Sequence, residues 1–137
     1  MATHLADTSA LARLHDPSVH AALGPMLTAG RVATCTMVDL EVLRSARSGE
    51  EHAAMWFDRL LNPRVPCDDP VHERAVVVQG LLAEGGQHRA VPPTDLVIAA
   101  AAELAGLVVL HYDHDFDLIA EVTGQPAEWV VPAGTVP

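Results

Sequence analysis

The feature that most constrains the fold is the alternation of short apolar segments with helix-like segments along the whole chain. The strongest apolar segment, LVVLHY at 107–112, is rich in β-branched residues and nearly continuous in hydrophobicity, which is typical of a strand buried on both faces. Strands separated by helices usually pair in parallel, with the helices covering both faces of the sheet. We therefore predict an α/β protein, specifically a three-layer α/β/α domain with a central, mainly parallel sheet.

Capping residues, prolines and glycines set the expected element boundaries. The predicted strands are THLA (3–6), RVATC (31–35), the weaker RVPC (64–67), LVVLHY (107–112) and AEWVV (127–131). The predicted helices are DTSALARLH (7–15), DPSVHAALGPMLTAG (16–30), TMVDLEVLRSAR (36–47), EEHAAMWFDRLL (50–61), DDPVHERAVVVQGLLAEGG (68–86), TDLVIAAAAELAG (94–106) and FDLIAEVTG (116–124). Gly24 and Pro25 should bend or split the second helix.

The length and the apolar pattern predict a single domain over residues 1–137. Asp7 and Arg13 interrupt the first segment, and the longest apolar stretch, 96–110, is shorter than the ~18 residues of a membrane span. We therefore expect no signal peptide, no membrane anchor and a cytoplasmic location. Cys35 and Cys67 lack metal or redox spacing and are expected to be reduced, structural thiols.

The charge pattern excludes several kinds of function. All 8 basic residues are arginines and the chain carries 18 acidic residues, for a net charge of −10. Without lysine there can be no lysine Schiff base and no P-loop lysine, and an aspartyl-phosphate receiver is improbable on the same ground. An acidic chain lacks the basic surface that drives nonspecific nucleic-acid binding. An aromatic content of 4% indicates no evident base-stacking platform, so a nucleic-acid substrate would need a local explanation.

Acidic residues follow two of the predicted strands. Asp7 comes after the first strand and Asp113 after the strongest one, so both should lie at the carboxyl edge of the sheet, where ligands bind in such folds. Asp7 has an equally good structural explanation as a helix N-cap, although Thr8 and Ser9 could cap as well. Asp95 opens the alanine-rich helix, where the helix dipole favours an acid by roughly 0.3–1 kcal/mol, so alone it proves nothing.

Two acids on the third predicted helix are expected to differ in environment. Helical spacing puts Glu41 at or within the apolar face, where an acid is unfavourable unless it is paired or bound to metal. Asp39 lies about 200° away around the helix and should face solvent. The structural alternative for Glu41 is a surface ion pair with Arg44 or Arg47, typically worth under about 1 kcal/mol.

Other metal-site patterns fail on their spacing. Asp113, Asp115 and Asp117 begin like a calcium loop, but Leu118 replaces the turning glycine and Gly124 replaces the bidentate glutamate. The eight histidines show no zinc-site rhythm, so no zinc site is assigned.

The four acids in their contexts ADTSAL, DLEVLRSA, PTDLVIAAAA and LHYDHDFDLIA resemble the acidic motifs of PIN-domain ribonucleases, and more narrowly those of VapC-type toxins of type II toxin–antitoxin modules. The resemblance spans nearly the whole chain. It implies a PIN fold, hydrolysis of RNA that depends on Mg²⁺ or Mn²⁺, homodimerisation and inhibition by a VapB-type antitoxin.

The resemblance also implies roles for individual residues. Asp7, Glu41, Asp95 and Asp113 correspond to the four catalytic acids of the family. The metal ligands would be Asp7, Asp95, Asp113 and Asp115. Independently of the family, carboxylate oxygens suit hard divalent cations, and clustered acids raise one another's pKa until a cation neutralises them.

The candidate substrate-binding residues are those expected to lie near Asp7 and Glu41. Because the overall charge repels RNA, its phosphates are expected to contact Arg13, Arg44 and Arg47, with Thr8 as a further substrate-binding candidate. One position departs from the family, which often has Thr or Ser two residues before the fourth acid. Here that residue is His111, so the local hydrogen bonding differs.

Three alternatives remain open. The chain could be a catalytically inactive PIN-like binding module, although it keeps all four acids. It could be a PIN nuclease of RNA maturation, which the sequence scarcely separates from a toxin. A phosphatase or phospho-acceptor domain on a similar fold is disfavoured by the missing lysine.

Overall fold

Four parallel strands form the centre of the structure, a computed structural model that describes residues 1–137. The strands are β1 (His4–Ala6), β2 (Val32–Ala33), β3 (Val108–His111) and β4 (Ala127–Trp129). Their spatial order is β2-β1-β3-β4, and all three pairings are parallel. The prediction of an α/β/α domain with a mainly parallel sheet is confirmed.

Seven helices flank this sheet. They are α1 (Thr8–Leu11), α2 (Pro17–Thr28), α3 (Thr36–Leu43), α4 (Gly49–Arg59), α5 (Asp69–Glu84), α6 (Pro93–Leu104) and α7 (Asp115–Thr123). Every predicted helix is present, although α1 is one short turn rather than the nine residues of the predicted segment. No helix is both long and apolar enough to cross a membrane.

Two local predictions need correction. Helix α2 continues through Pro25 without a break, so of the two predicted outcomes, a bend or a split, the split does not occur. The residue before a proline normally resists the helical conformation because its Cβ clashes with the proline ring, and Gly24 has no Cβ. The weak strand candidate at 64–67 contributes only an isolated bridge between Thr34 and Arg64. Helix α3 begins at Thr36, two residues after Thr34, so no extended partner continues that pairing.

Alternating side chains of the central strands enter two separate cores. Leu5 and Val109 pack in the larger core with the alanine-rich face of α6 and parts of α5 and α7. Ala6 and Leu110, their neighbours in sequence, pack on the opposite face of the sheet with Val19 and other residues of the smaller core. Period-2 alternation with an apolar residue on both sides is what a strand covered by two helical layers requires.

The sheet register fixes where the acidic residues emerge. Leu5 pairs with Val109 and Ala6 with Leu110, so β1 and β3 end side by side. The backbone N–H of Asp7 donates to the carbonyl oxygen of Leu110 at 2.9 Å, which extends the pairing to the last residue before α1. Asp7 and the loop that carries Asp113 therefore leave the same edge of the sheet, as the sequence predicts.

Candidate functional site

Asp7 serves as a helix cap and still has a free carboxylate oxygen. Its Oδ2 accepts a hydrogen bond from the backbone N–H of Ser9 at 2.9 Å, which makes it the N-cap of α1. Its Oδ1 is buried without any hydrogen-bond partner, and the residue is only 3% exposed. Burial raises the pKa of Asp7, and the nearby charge of Asp113 adds to that effect. A cap alone does not account for the second, unpaired oxygen.

Three carboxylates converge next to Asp7. One oxygen each from Asp95, Asp113 and Asp115 can be chosen so that all three lie within 4.8 Å of one another. Asp95 is in the first turn of α6, Asp113 is in the loop after β3, and Asp115 is the first residue of α7. The backbone N–H of Asp115 donates to Oδ1 of Asp113 at 2.9 Å, which fixes the geometry of the loop. We call these three residues the acidic cluster.

Two members of the acidic cluster, Asp95 and Asp115, bind protons more tightly than ordinary aspartates do. Burial, followed by the charges of Asp7 and Asp113, raises the pKa of Asp95 to about 8. Burial and the charge of Asp113 also raise the pKa of Asp115. These carboxyl groups are therefore poor at holding negative charge by themselves.

The residues present fit a hard divalent cation. All donors of the acidic cluster are carboxylate oxygens, the ligand type that Mg²⁺ and Mn²⁺ prefer. Two buried side-chain atoms lack a hydrogen-bond partner, Oδ1 of Asp7 and Nε2 of His111, and Oδ1 of Asp7 is the one whose desolvation a cation would offset. Of the four predicted ligands, three form the cluster. The fourth, Asp7, is not within that group, but its charge acts on the pKa of Asp95.

Glu41 lies beside Asp7 rather than in the acidic cluster. It is half-buried on α3, and its Oε1 accepts a hydrogen bond from the Thr8 hydroxyl at 3.0 Å. Burial raises the pKa of Glu41, and the charge of Asp7 contributes in the same direction. The ion pairs with Arg44 or Arg47 that would have explained Glu41 structurally are not formed. Thr8, a predicted substrate contact, donates its hydroxyl to this carboxylate.

The prediction that Asp39 faces solvent is wrong. The residue is 1% exposed, because the side of α3 that carries it is covered by α4 and the segment that follows. Its Oδ1 accepts from Nε of Arg59 at 3.0 Å and from the Thr34 hydroxyl at 2.9 Å, and its Oδ2 pairs with Arg64. Asp39 is therefore a buried structural acid with two arginine partners.

The three predicted substrate arginines have different environments. Nη1 of Arg13 donates to the carbonyl oxygen of Ser9 at 2.7 Å, and its guanidinium lies in the same groove as Asp113. Arg44 is exposed and close enough to Glu41 for its charge to offset part of the rise in the pKa of that carboxyl that burial causes. The side chain of Arg47 is 87% exposed and pairs with Glu51 at 3.4 Å. Arg13 and Arg44 thus lie beside predicted site residues, while Arg47 is engaged elsewhere.

His111 occupies the position where the family often has Thr or Ser. Its Nδ1 accepts a hydrogen bond from the backbone N–H of Asp113 at 3.2 Å, as a hydroxyl oxygen could. Because Nδ1 accepts this bond it carries no proton, so the ring proton is on Nε2, and burial lowers the pKa of His111 in the direction that favours this neutral form. The ring is fully buried against Phe116 and Trp129. The departure in sequence therefore preserves an acceptor for the Asp113 backbone.

Sequence reasoning missed the aromatic residues around the acidic cluster. Trp129 at the end of β4 lies beside Tyr112 and His114, which flank Asp113. The sequence pattern assigns no role to His111 or His114 and predicts AEWVV only as a strand. The one available signal was that this strand also ends at the carboxyl edge, where its last aromatic residue must lie near the acids.

Comparison with known proteins agrees with this arrangement. Residues 5–122 match the family model of the PIN domain. The chain therefore belongs to the PIN-domain family. The matched region begins in β1 and ends in α7, so it contains all four predicted catalytic acids.

Curated relatives narrow the relationship within that family. Ribonuclease VapC51 of Mycobacterium tuberculosis is 48% identical over 97% of this chain and 96% of its own length. Ribonuclease VapC21 of the same species is 44% identical over 96% of each chain. Within the PIN-domain family, this protein thus groups with the VapC ribonucleases.

Solved structures share the fold. A DNA-bound VapBC from Salmonella typhimurium has a chain that superimposes with a TM-score of 0.75 at 18% identity, over 96% of this chain and 100% of that one. VapBC-5 from Mycobacterium tuberculosis has a chain with a TM-score of 0.63 at 26% identity, over 94% of this chain and 98% of that one.

Proposed function

We propose that this protein is a Mg²⁺- or Mn²⁺-dependent endoribonuclease that acts as the toxin of a toxin–antitoxin pair. The observation that carries the proposal is the convergence of Asp95, Asp113 and Asp115 beside Asp7, whose buried Oδ1 has no partner. The chain groups with proteins named as VapC ribonucleases, and a metal-holding carboxylate site is what hydrolysis of a phosphodiester by such a chain needs.

The three carboxylates of the acidic cluster, together with that of Asp7, would hold the cation. When bound, a divalent cation would supply Lewis acidity for the hydrolysis of a phosphodiester. Glu41, oriented by the Thr8 hydroxyl, lies next to Asp7 and is suited to accept or supply a proton there. Its raised pKa makes its protonated form more favourable than that of an ordinary glutamate.

The substrate is RNA held through its phosphates. The net charge of −10 opposes RNA binding, so the attraction has to come from the cation and from local arginines. Arg13 and Arg44 lie next to the predicted site residues and supply that charge, with guanidinium groups that match phosphate geometry. Arg47 would have to leave Glu51 to take part.

The proposed partners are a VapB-type antitoxin and a second copy of the chain. Structural neighbours are described as VapBC complexes, which supports an antitoxin as the inhibitor of the same site. We place the activity in the cytoplasm, where the RNA substrate and the antitoxin would be found. The intact set of acids favours an active enzyme over an inactive PIN-like module.

Induced expression in bacteria tests the enzymatic and toxic roles together. Wild type should arrest growth and produce RNA fragments, whereas Asp7→Asn and Asp113→Asn should do neither. Asp58→Asn removes an exposed carboxylate of α4 and should behave as wild type. Equal toxicity from all four proteins would defeat the catalytic assignment.

A second experiment separates a toxin from an RNA-maturation nuclease. Where a small antitoxin-like protein is encoded beside this gene, its coexpression should restore growth, and its addition to the purified enzyme should suppress RNA cleavage. Cleavage that continues unchanged in its presence would instead favour a maturation nuclease.

A further inference from the structure

A groove with aromatic walls lies directly beside the acidic cluster. Its volume is about 500 Å³, within the range of roughly 300–1,000 Å³ that is usual for small-ligand sites. The lining includes Arg13, Tyr112, Asp113, His114 and Trp129, together with part of the C-terminal segment. We call it the Trp129 groove. Because Asp113 belongs both to the groove and to the acidic cluster, the two sites are contiguous.

Three rings fix the aromatic wall of the groove. The ring of Trp129 lies edge-on to Tyr112, with centroids 5.4 Å apart at 84°, and to His114, at 4.8 Å and 69°. Its Nε1 donates to Oδ1 of Asp117 at 3.2 Å, which holds the orientation of the indole. Trp129 is half-buried as a residue, so part of its surface remains accessible. Although aromatic residues are scarce in the sequence, these are concentrated at one place.

A cation and a backbone wall complete the groove. The guanidinium carbon of Arg13 lies 4.6 Å from the centroid of the Tyr112 ring, on its face. The Tyr112 hydroxyl donates to the carbonyl oxygen of Val136 at 2.8 Å and accepts from its backbone N–H at 3.1 Å. These bonds hold the segment with Ala133 and Gly134 against the groove. The groove is therefore shaped by specific contacts rather than by a loose surface depression.

We infer that the Trp129 groove holds a nucleobase of the RNA strand, which stacks on Trp129 beside the Arg13 guanidinium. This base is next to the phosphate that is positioned at the acidic cluster. This inference rests on the proposed function and specifies its substrate contacts. Stacking on an aromatic face tolerates every base, so the groove contributes affinity and register more than sequence readout. A flat indole and a nearby cation suit a base and its phosphate better than an apolar ligand.

Tryptophan fluorescence gives a direct test, because the chain has only two tryptophans. Trp56 lies on α4 near Arg64, beside the β2 edge of the sheet, and β4 is the opposite edge. In a Trp56→Phe, Asp7→Asn protein, Trp129 is the only reporter and cleavage is disabled. A mixed-sequence RNA hexanucleotide should quench it saturably with Mg²⁺ present. The same oligomers with single abasic positions should identify one position whose loss removes most of the quenching.

The kinetics of RNA cleavage by two matched variants of Trp129 give a second test. Trp129→Leu should raise KM for the hexanucleotide roughly 5- to 100-fold with a smaller change in kcat, whereas Trp129→Phe should keep most of the affinity because it still stacks. Thermal melting and Mg²⁺ titration identify a variant that has lost the fold or the acidic cluster.

The outcomes separate this inference from the proposed function. Suppose that wild type cleaves RNA, that RNA does not quench Trp129 fluorescence, and that Trp129→Leu has the same KM as wild type. This result would overturn the stacking site and leave the proposed nuclease activity intact. Saturable quenching by the hexanucleotide without cleavage by wild type would support the groove and contradict the nuclease. If Trp129→Leu and Trp129→Phe raise KM by the same factor, the indole is needed only for packing, and the inference is overturned.

Discussion

Nδ1 of His111 accepts the backbone N–H of Asp113 at 3.2 Å, so a fully buried imidazole orients the loop that carries a predicted metal ligand. The bond requires Nδ1 to be unprotonated, and burial lowers the pKa of His111 in agreement with that requirement. The ring also packs between Phe116 and Trp129, so it connects the acidic cluster to the Trp129 groove.

Replacing His111 should separate its hydrogen bond from its packing. His111→Asn places a carbonyl oxygen near the position of Nδ1 and should keep Mg²⁺ affinity within a few-fold of wild type. His111→Leu fills the space but leaves the Asp113 N–H unpaired, at a cost of about 1–3 kcal/mol, and should weaken Mg²⁺ binding more than the Asn variant does. Isothermal titration measures both. Equal affinity for the two variants would mean that the acceptor has no role in positioning the loop.

The stability of the metal-free protein should fall as pH rises. The pKa of Asp95 is raised to about 8 in the folded protein, whereas an unfolded aspartate titrates near 4. The folded state thus binds this proton more tightly, and the stabilisation present at low pH is lost between about pH 4 and pH 8. In EDTA, the free energy of unfolding by urea should be about 1–3 kcal/mol lower at pH 8 than at pH 5 through this group.

Asp95→Asn provides the control for that pH dependence, because it removes the titrating group and keeps a similar shape. The variant should lose most of the difference between pH 5 and pH 8. Adding Mg²⁺ should stabilise wild type more at pH 8 than at pH 5, because protons compete with the cation for the carboxylates. An identical pH slope in both proteins would contradict a buried, protonated Asp95.

Asp39 should be needed for folding rather than for the chemistry. Its carboxylate is the partner of Arg59 and Arg64, and removing it leaves two partly buried cations without a counter-charge. Asp39→Ala should reduce the free energy of unfolding by about 3–5 kcal/mol. Arg47→Ala, which breaks the exposed pair with Glu51, should change it by less than about 1 kcal/mol. Similar effects of the two substitutions on urea unfolding would count against the buried network.

The sequence predicts the elements whose local signals agree with their tertiary environment. The apolar run that forms β3 could be recognised because a strand covered on both faces has no polar alternation. The positions of Asp7 and Asp113 followed from one rule, that parallel strands end at a common edge. Neither inference needed knowledge of side-chain contacts.

The errors arise where the neighbours of a helix decide the environment. Helical periodicity gives the angle between Asp39 and Glu41, but not which sides of α3 other elements cover, and α4 covers the side that periodicity assigned to solvent. The aromatic wall was missed for a related reason. Composition counts aromatic residues over the whole chain, while the register of β3 with β4 brings His111 opposite Trp129 and so concentrates them locally.

Arg44 should contribute to RNA binding through a phosphate and not through the cation. It is exposed beside Glu41, and an arginine that neutralises one phosphate lowers the slope of log K against log salt by about one when it is removed. Arg44→Ala should therefore weaken binding of a short RNA to the Asp7→Asn protein about 3- to 10-fold at low salt, with unchanged Mg²⁺ affinity in the wild-type background. Arg31→Ala is the matched control, since Arg31 is also exposed but precedes β2 and lies at the amino end of the sheet. Anisotropy titrations over a range of salt concentrations measure the slope. If Arg31→Ala and Arg44→Ala change it equally, the attraction is a property of the total charge and the local assignment of Arg44 is wrong.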